Sequence, residues 1–177
     1  MVLLFTISAE AQQWTGNAHL FLGAKALDKD DWEPVEGHAQ VGILADFGQH
    51  DWPVHIAVGL LRSSADDTLM GVKFEAETTE INVGVRKIWD THPTMRPFVG
   101  GGLAHINASF DGSSGGVRVS DSDSAIGFWL NAGIYWTLAE SFNIGFDARI
   151  SSASVRLYDI STNAGGGHFG LTLGYHW

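Results

Sequence analysis

Eight stretches of this chain alternate large apolar residues with small or polar ones, and the connections between them are sorted by size. The stretches are 15–27, 37–47, 53–63, 74–89, 96–110, 124–138, 142–156 and 168–177. Alternation with a period of two puts one set of side chains on each face of a β-strand. After the first, third, fifth and seventh stretches the connections are long and polar: DKDDWEPVE, SADDTLMGVK, DGSSGGVRVSDSD and LYDISTNAGGG. After the second, fourth and sixth they are short: GQHDW, DTHPTM and AES. A soluble sandwich or barrel has no reason to sort its connections in this way. An even number of strands with short turns at one end and long loops at the other is the layout of a membrane β-barrel with both termini at the short-turn end.

The strand lengths agree. Most exceed ten residues, beyond the five or six of ordinary soluble strands, and suit a tilted crossing of about 9–11 residues with extensions. No run of about 18 apolar residues occurs, so a helical span is excluded, and mean hydropathy is only +0.04. Apolar residues spread thinly by alternation leave just such a weak signal. With 177 residues the chain fits one domain. Charged residues make up 17%, below the roughly 25% of a soluble domain.

The polar faces indicate which side is inside. Asn143, Gly145, Asp147, Arg149 and Ser151 oppose Phe142, Ile144, Phe146, Ala148 and Ile150; Glu80, Asn82, Gly84 and Arg86 oppose Ile81, Val83 and Val85. Glycine mixed with Asn, Asp and Arg suits a narrow lumen filled by side chains, whereas a soluble exterior carries more Lys, Glu and Thr. The apolar face is therefore expected to meet lipid. In RPFVGGGLAHINASF the three glycines allow either register. The reading adopted places His105, Asn107 and Ser109 inside, with Ile106 and Phe110 outside.

The expected fold is all-β: a closed antiparallel up-and-down transmembrane β-barrel of eight strands, occupying residues 12–177. Residues 1–11 read as the remnant of an export signal, from the apolar stretch VLLFTI and the A-x-A-like site at Ala9-Glu10-Ala11. The last strand, HFGLTLGYHW, alternates up to a terminal aromatic. A barrel needs that strand to pair with the first and leave no open edge. This strand, with RPFVGGGLAHINA and AIGFWLNAGIYWTLAESFNIGFDARIS, resembles the small eight-stranded outer-membrane β-barrel proteins of Gram-negative bacteria, a porin-like group. The resemblance implies residence in the cell outer membrane, contact with outer-membrane lipid and lipopolysaccharide, and a monomeric barrel. It also implies that the barrel-assembly machinery reads the terminal strand, in which Trp177 stands where Phe is usual.

Six charges fall on the expected inner face: Lys25, Asp46, Glu80, Arg86, Asp147 and Arg149. A buried charge without a partner costs several kcal/mol, so a mutually paired network filling the lumen is expected, with a narrow conducting or carrier role for small or hydrophobic solutes as the alternative. Aromatic residues near strand ends, Trp32, Trp52, Trp89, Trp136, Tyr175 and Trp177, suit interfacial girdles, since each ring is apolar with one polar tip. Trp52, Trp89, Trp136, Tyr175 and Trp177 gather near the short-turn side.

Net charge is −10, which argues against nucleic acid. Asp28, Asp30, Asp31, Glu33, Asp66, Asp67, Asp111, Asp121 and Asp123 are expected in a solvated outer rim, with bridging of divalent cations to lipopolysaccharide phosphates as the other reading. The eight histidines show no close ligand spacing and there is no cysteine, so neither a metal site nor a cofactor is expected. The segment RISSASV is faintly similar to the His-x-Ser-Asn motif of outer-membrane lipid A deacylases, with Ser151 at the nucleophile position. Arg149 stands where the histidine belongs and Ser152 where the asparagine belongs. With its pKa above 12 an arginine is no general base near neutral pH, so an enzyme is not expected.

Overall fold

The computed structural model describes residues 14–92, 94–139 and 141–177. The expected export signal, residues 1–11, lies outside them. Ten strands and one short helix follow in chain order: β1 (Trp14–Ala26), α1 (Lys29–Trp32), β2 (Gly37–Gln49), β3 (His55–Leu69), β4 (Val72–Ile88), β5 (Met95–Ser114), β6 (Val117–Leu138), β7 (Phe142–Ser152), β8 (Ser154–Leu157), β9 (Ile160–Asn163) and β10 (Gly166–His176). Eight of these close into an antiparallel barrel ordered β1-β10-β7-β6-β5-β4-β3-β2, while β8 and β9 form a separate hairpin.

Closure joins the two ends of the chain, with Asn17 opposite His176 and Ala26 opposite Gly167. Trp177 and Gly16 exchange both backbone hydrogen bonds at 3.1 Å. One circuit through paired residues runs Gly16, Phe47, Ile56, Val85, Gly101, Leu130, Ile150, Gly167 and back to Ala26. The return is displaced along β1 by ten residues (from 16 to 26), the shear that tilts the strands and sets the bore.

Side chains alternate across the wall as the sequence suggests, except on β5. There Ala104, Ile106 and Ala108 are buried inside, while His105 and Asn107 point outward. This reverses the expected register. The three glycines supply no side chain to fix a face, and the interior at this height is apolar, so Ile106 belongs inside.

The long connections also differ from expectation. Those after β3 and β5 are mostly strand: Met70–Gly71 and Gly115–Gly116 form two-residue turns, both central residues having positive φ, and pairing runs to Leu69↔Val72 and Ser114↔Val117. Such turns match the twist of the strands they join. The seventh stretch ends at Ser152, and residues to 156 turn off into the β8–β9 hairpin, closed by a similar turn at Tyr158–Asp159. β3 to β6 thus continue beyond the barrel as a four-stranded wall.

Candidate functional site

The lumen holds a lower polar tier, made of two linked clusters, and an upper apolar one. Toward the short-turn end lies a cluster centred on Asp46 and Arg86. Arg86 Nη1 donates to Asp46 Oδ2 (2.9 Å) and to the Tyr135 hydroxyl, and its Nη2 lies 3.7 Å from Asp147 Oδ2. Asn17 Nδ2 and His55 Nδ1 donate to the other Asp46 oxygen at 2.7 and 3.1 Å. The Arg86 guanidinium stacks 4.6 Å from the Phe98 ring. Asn143 donates to Asn17 Oδ1 (2.7 Å) and accepts from Thr137 (2.8 Å), extending the network across the barrel.

Above it sits a second cluster around Lys25 and Glu80. Lys25 Nζ donates to Glu80 Oε1 (2.6 Å), Thr78 Oγ1 (2.9 Å) and the Ala164 carbonyl (2.8 Å), so all three ammonium protons are used. Ser63 joins Thr78 at 2.7 Å and His38 at 3.0 Å. Between the clusters, Asp147 accepts from Asn131 (2.6 Å) and lies 3.8 Å from Arg149 Nε, whose guanidinium stacks 4.8 Å from the Trp129 ring. The structure therefore brings Lys25, Asp46, Glu80, Arg86, Asp147 and Arg149 into one buried, charge-balanced column of three cations and three carboxylates.

Sequence reasoning missed one constellation here. Ser151 Oγ lies 2.9 Å from His168 Nε2 and 3.2 Å from Glu80 Oε1, and His168 Nδ1 lies 2.9 Å from the Gln40 amide. The pair Ile150↔Gly167, with Ser151 and His168 on the inward face beside it, could have placed these two together once β7 and β10 were recognised as neighbours. All four residues are buried in the lumen.

The upper tier is apolar. Leu27, Trp32, Val35, Ile106, Ala108, Trp129, Val155 and Leu157 belong to one buried cluster. Trp32 was expected among the strand-end aromatics; instead α1 carries it inward, where it is 1% exposed and donates from Nε1 to the Asn163 carbonyl (2.9 Å). The β8–β9 hairpin closes the roof. Asp123 and Asp121 accept from the Arg156 and Tyr158 amides at 2.7 and 2.6 Å, and Asp31 accepts from the Asn163 amide at 3.1 Å. Asp28 caps α1 by accepting from the Asp30 amide (3.0 Å). Four acidic residues expected in a solvated rim thus fasten the roof. The backbone donors hold the exposed Asp123 carboxyl below the usual carboxylate range.

The outer surface carries a continuous belt of exposed apolar side chains, among them Leu22, Ile43, Val58, Val83, Leu103, Leu130, Ile150 and Leu171. Arg62, Thr79 and His105, which also face outward, end it on β3, β4 and β5. Trp52, Trp89, Trp136, Tyr175 and Trp177 lie at the short-turn end of the belt. A surface hollow of about 1020 Å³ is bounded by outward-facing Ala24, Ala39, Ala132, Ala148, Leu130 and Phe169.

A closed eight-stranded barrel with an apolar belt and a polar interior defines a class, the small integral outer-membrane barrels. The family model for the outer membrane protein beta-barrel domain matches residues 1–177, and the chain belongs to that family. Its place is the cell outer membrane. Among solved structures it is similar to Ail, the attachment invasion locus protein of Yersinia pestis, at 13% identity and a TM-score of 0.63, covering 93% of this chain and 99% of that one. Ail has also been crystallised with the heparin analogue sucrose octasulfate (11% identity, TM-score 0.65, 93% and 99% covered). OprG from Pseudomonas aeruginosa is similar at 11% identity and a TM-score of 0.59, with 94% of this chain and 97% of that one covered. A search of curated protein sequences gives no match. Short turns of such barrels face the periplasm and long loops the exterior, so the four-stranded wall and its roof stand outside the cell.

Proposed function

We propose that this protein is a structural and surface-interaction barrel, closed to solute flow, that presents its β3–β6 wall to the exterior. The filled lumen supports this most directly. An eight-stranded bore has room for its own side chains and little else, and here the ion-pair column below and the Trp32 roof above occupy it together. The six charges serve as an internal brace, and the short-turn aromatics anchor the barrel at the periplasmic interface. The partners of the barrel itself are outer-membrane lipid and lipopolysaccharide. The sealed position of Ser151 and His168 supports a non-enzymatic role. The acidic exterior has the wrong sign for a sulfated polyanion such as the one bound to Ail.

Planar-bilayer recording tests the reading. The purified protein is expected to give no steady conductance, and steady single-channel currents would overturn the closed lumen in favour of a narrow channel. Incubated with lipid A, it should leave the lipid's mass unchanged. A loss of acyl chains abolished by Ser151→Ala would overturn the non-enzymatic role.

A further inference from the structure

Most exposed large apolar residues of this protein lie in the lipid belt, where the bilayer covers them. Six do not: Leu69, Met70, Val117, Val119, Tyr158 and Ile160, whose exposure runs from 44% at Tyr158 to 95% at Met70. All six sit on the extracellular wall or the hairpin that roofs the lumen.

Leu69, Val117 and Val119 share the inner side of the wall. Asp121 and Asp123 face inward, because they accept from the β8 backbone and the turn that follows it. Val117 and Val119 alternate in step with them and so face the same way. One row crosses the sheet there. It runs Asp67, Phe74, Gly112, Val119, and just beyond it stand the pairs Leu69↔Val72 and Ser114↔Val117. Phe110, below them, packs on Phe74 (5.9 Å) and on Tyr158 (6.5 Å), so these residues continue the roof's apolar surface upward without a break. Water meets this face, and no side chain among the described residues covers it. A contiguous exposed apolar patch of this kind marks an interaction surface.

The charges around it select the partner. The nearest wall cations, Lys73 and Arg118, are on the opposite face and already paired, with Glu75 at 2.7 Å and Asp111 at 3.2 Å. Asp67, in the inner-face row with Phe74, and Asp159, in the hairpin turn, enter no ion pair among the described residues; Arg156 is the one cation of the hairpin. We propose that the inner face of the β3–β6 wall docks a cationic polypeptide segment with an apolar face, presented from outside the cell. The apolar residues bury its hydrophobic side chains and the aspartates attract its lysines or arginines. This deepens the surface-interaction reading and rests on it.

The test uses the full chain in phosphatidylcholine nanodiscs and a synthetic ten-residue peptide bearing four lysines on one face and three leucines on the other. Empty nanodiscs serve as the blank. Methyl NMR should show saturable shifts at Leu69, Val117 and Val119, while the belt residues Val83 and Val99 stay in place. The double variant Val117→Ser/Val119→Ser should weaken binding at least tenfold, and Asp67→Asn/Asp159→Asn several-fold with a reduced salt dependence. Unheated gel mobility verifies that each variant remains a closed barrel. Three results would overturn the proposal: no saturable shift, equal binding of oligo-lysine, or equal binding of the analogue with glutamate in place of lysine. Dimerisation of the native chain that the two serines abolish would also overturn it, by making a second copy the occupant. Absent peptide binding with a silent bilayer removes this docking site alone, whereas steady conductance removes the reading on which it rests.

Discussion

The lower and upper lumen solve one packing problem in two ways. Below, Asp46, Arg86, Tyr135 and Asn17 fill the bore with groups that must all be partnered. Above, Trp32, Ile106, Val155 and Leu157 fill it with groups that need only shape. A half-satisfied polar cluster is penalised by a stranded charge, whereas an apolar cluster loses contacts in proportion to what is removed. The two tiers should therefore fail differently: the lower abruptly, the upper gradually.

Removing one member of an ion pair gives the largest expected effect. Lys25→Met leaves Glu80 buried without its cation and should cost about 3–5 kcal/mol, whereas Lys25→Met with Glu80→Leu should recover most of the loss. Urea unfolding in lipid vesicles, followed by tryptophan fluorescence, measures both. If the double variant were no better than the single, the column would be held by packing rather than charge, and the contrast between tiers would disappear. Next comes the wall itself. Val83→Arg on the lipid face should cost about 2–4 kcal/mol, while Ser114→Arg at the extracellular tip should be nearly neutral. Equal costs would mean that the belt is misplaced. In the upper tier Ile106→Val should cost only about 0.5–1.5 kcal/mol by the same unfolding assay, and a value approaching that of Lys25→Met would break the comparison.

The smallest effect concerns the roof. Because backbone donors lower the Asp123 carboxyl, its hold on the hairpin is complete at neutral pH. It is lost only as pH falls through the lowered value, beneath the ordinary carboxylate range near about 3.9. The Arg156 amide resonance should report that titration, and Asp123→Asn should abolish it. A midpoint above the ordinary range would mean that the hydrogen bond is absent in solution.

Much of this architecture is legible in the alternation alone. Period two assigns inward and outward faces wherever both carry distinctive side chains, as on β7, with Asp147 and Arg149 against Phe146 and Ile150. It fails on β5, where glycines remove the distinction and where inward Ile106 serves an apolar tier that no local pattern announces. The wall was hidden for a related reason. VRVSDSD pairs with strand β5 above the lipid, where outward positions are polar too, so alternation fades although the strand continues. Trp32 and the Ser151–His168 contact were illegible for want of distance information. One depends on how a loop folds back, the other on the register between the last two barrel strands.

The pairing of β1 with β10 has a consequence in time. Lys25 meets the Ala164 carbonyl across 139 residues, His168 meets Gln40 across 128, and Asn143 meets Asn17 across 126. His168 lies on the final strand itself, and the other two contacts span the gap between β1 and the last third of the chain that this strand closes. An incomplete barrel would therefore hold, side by side, an open strand edge and a column of charges with their partners missing. The polar interior acts as a completeness check: arrival of β10 closes the wall and joins the column across it, so a truncated chain has little to gain from any nearly closed form.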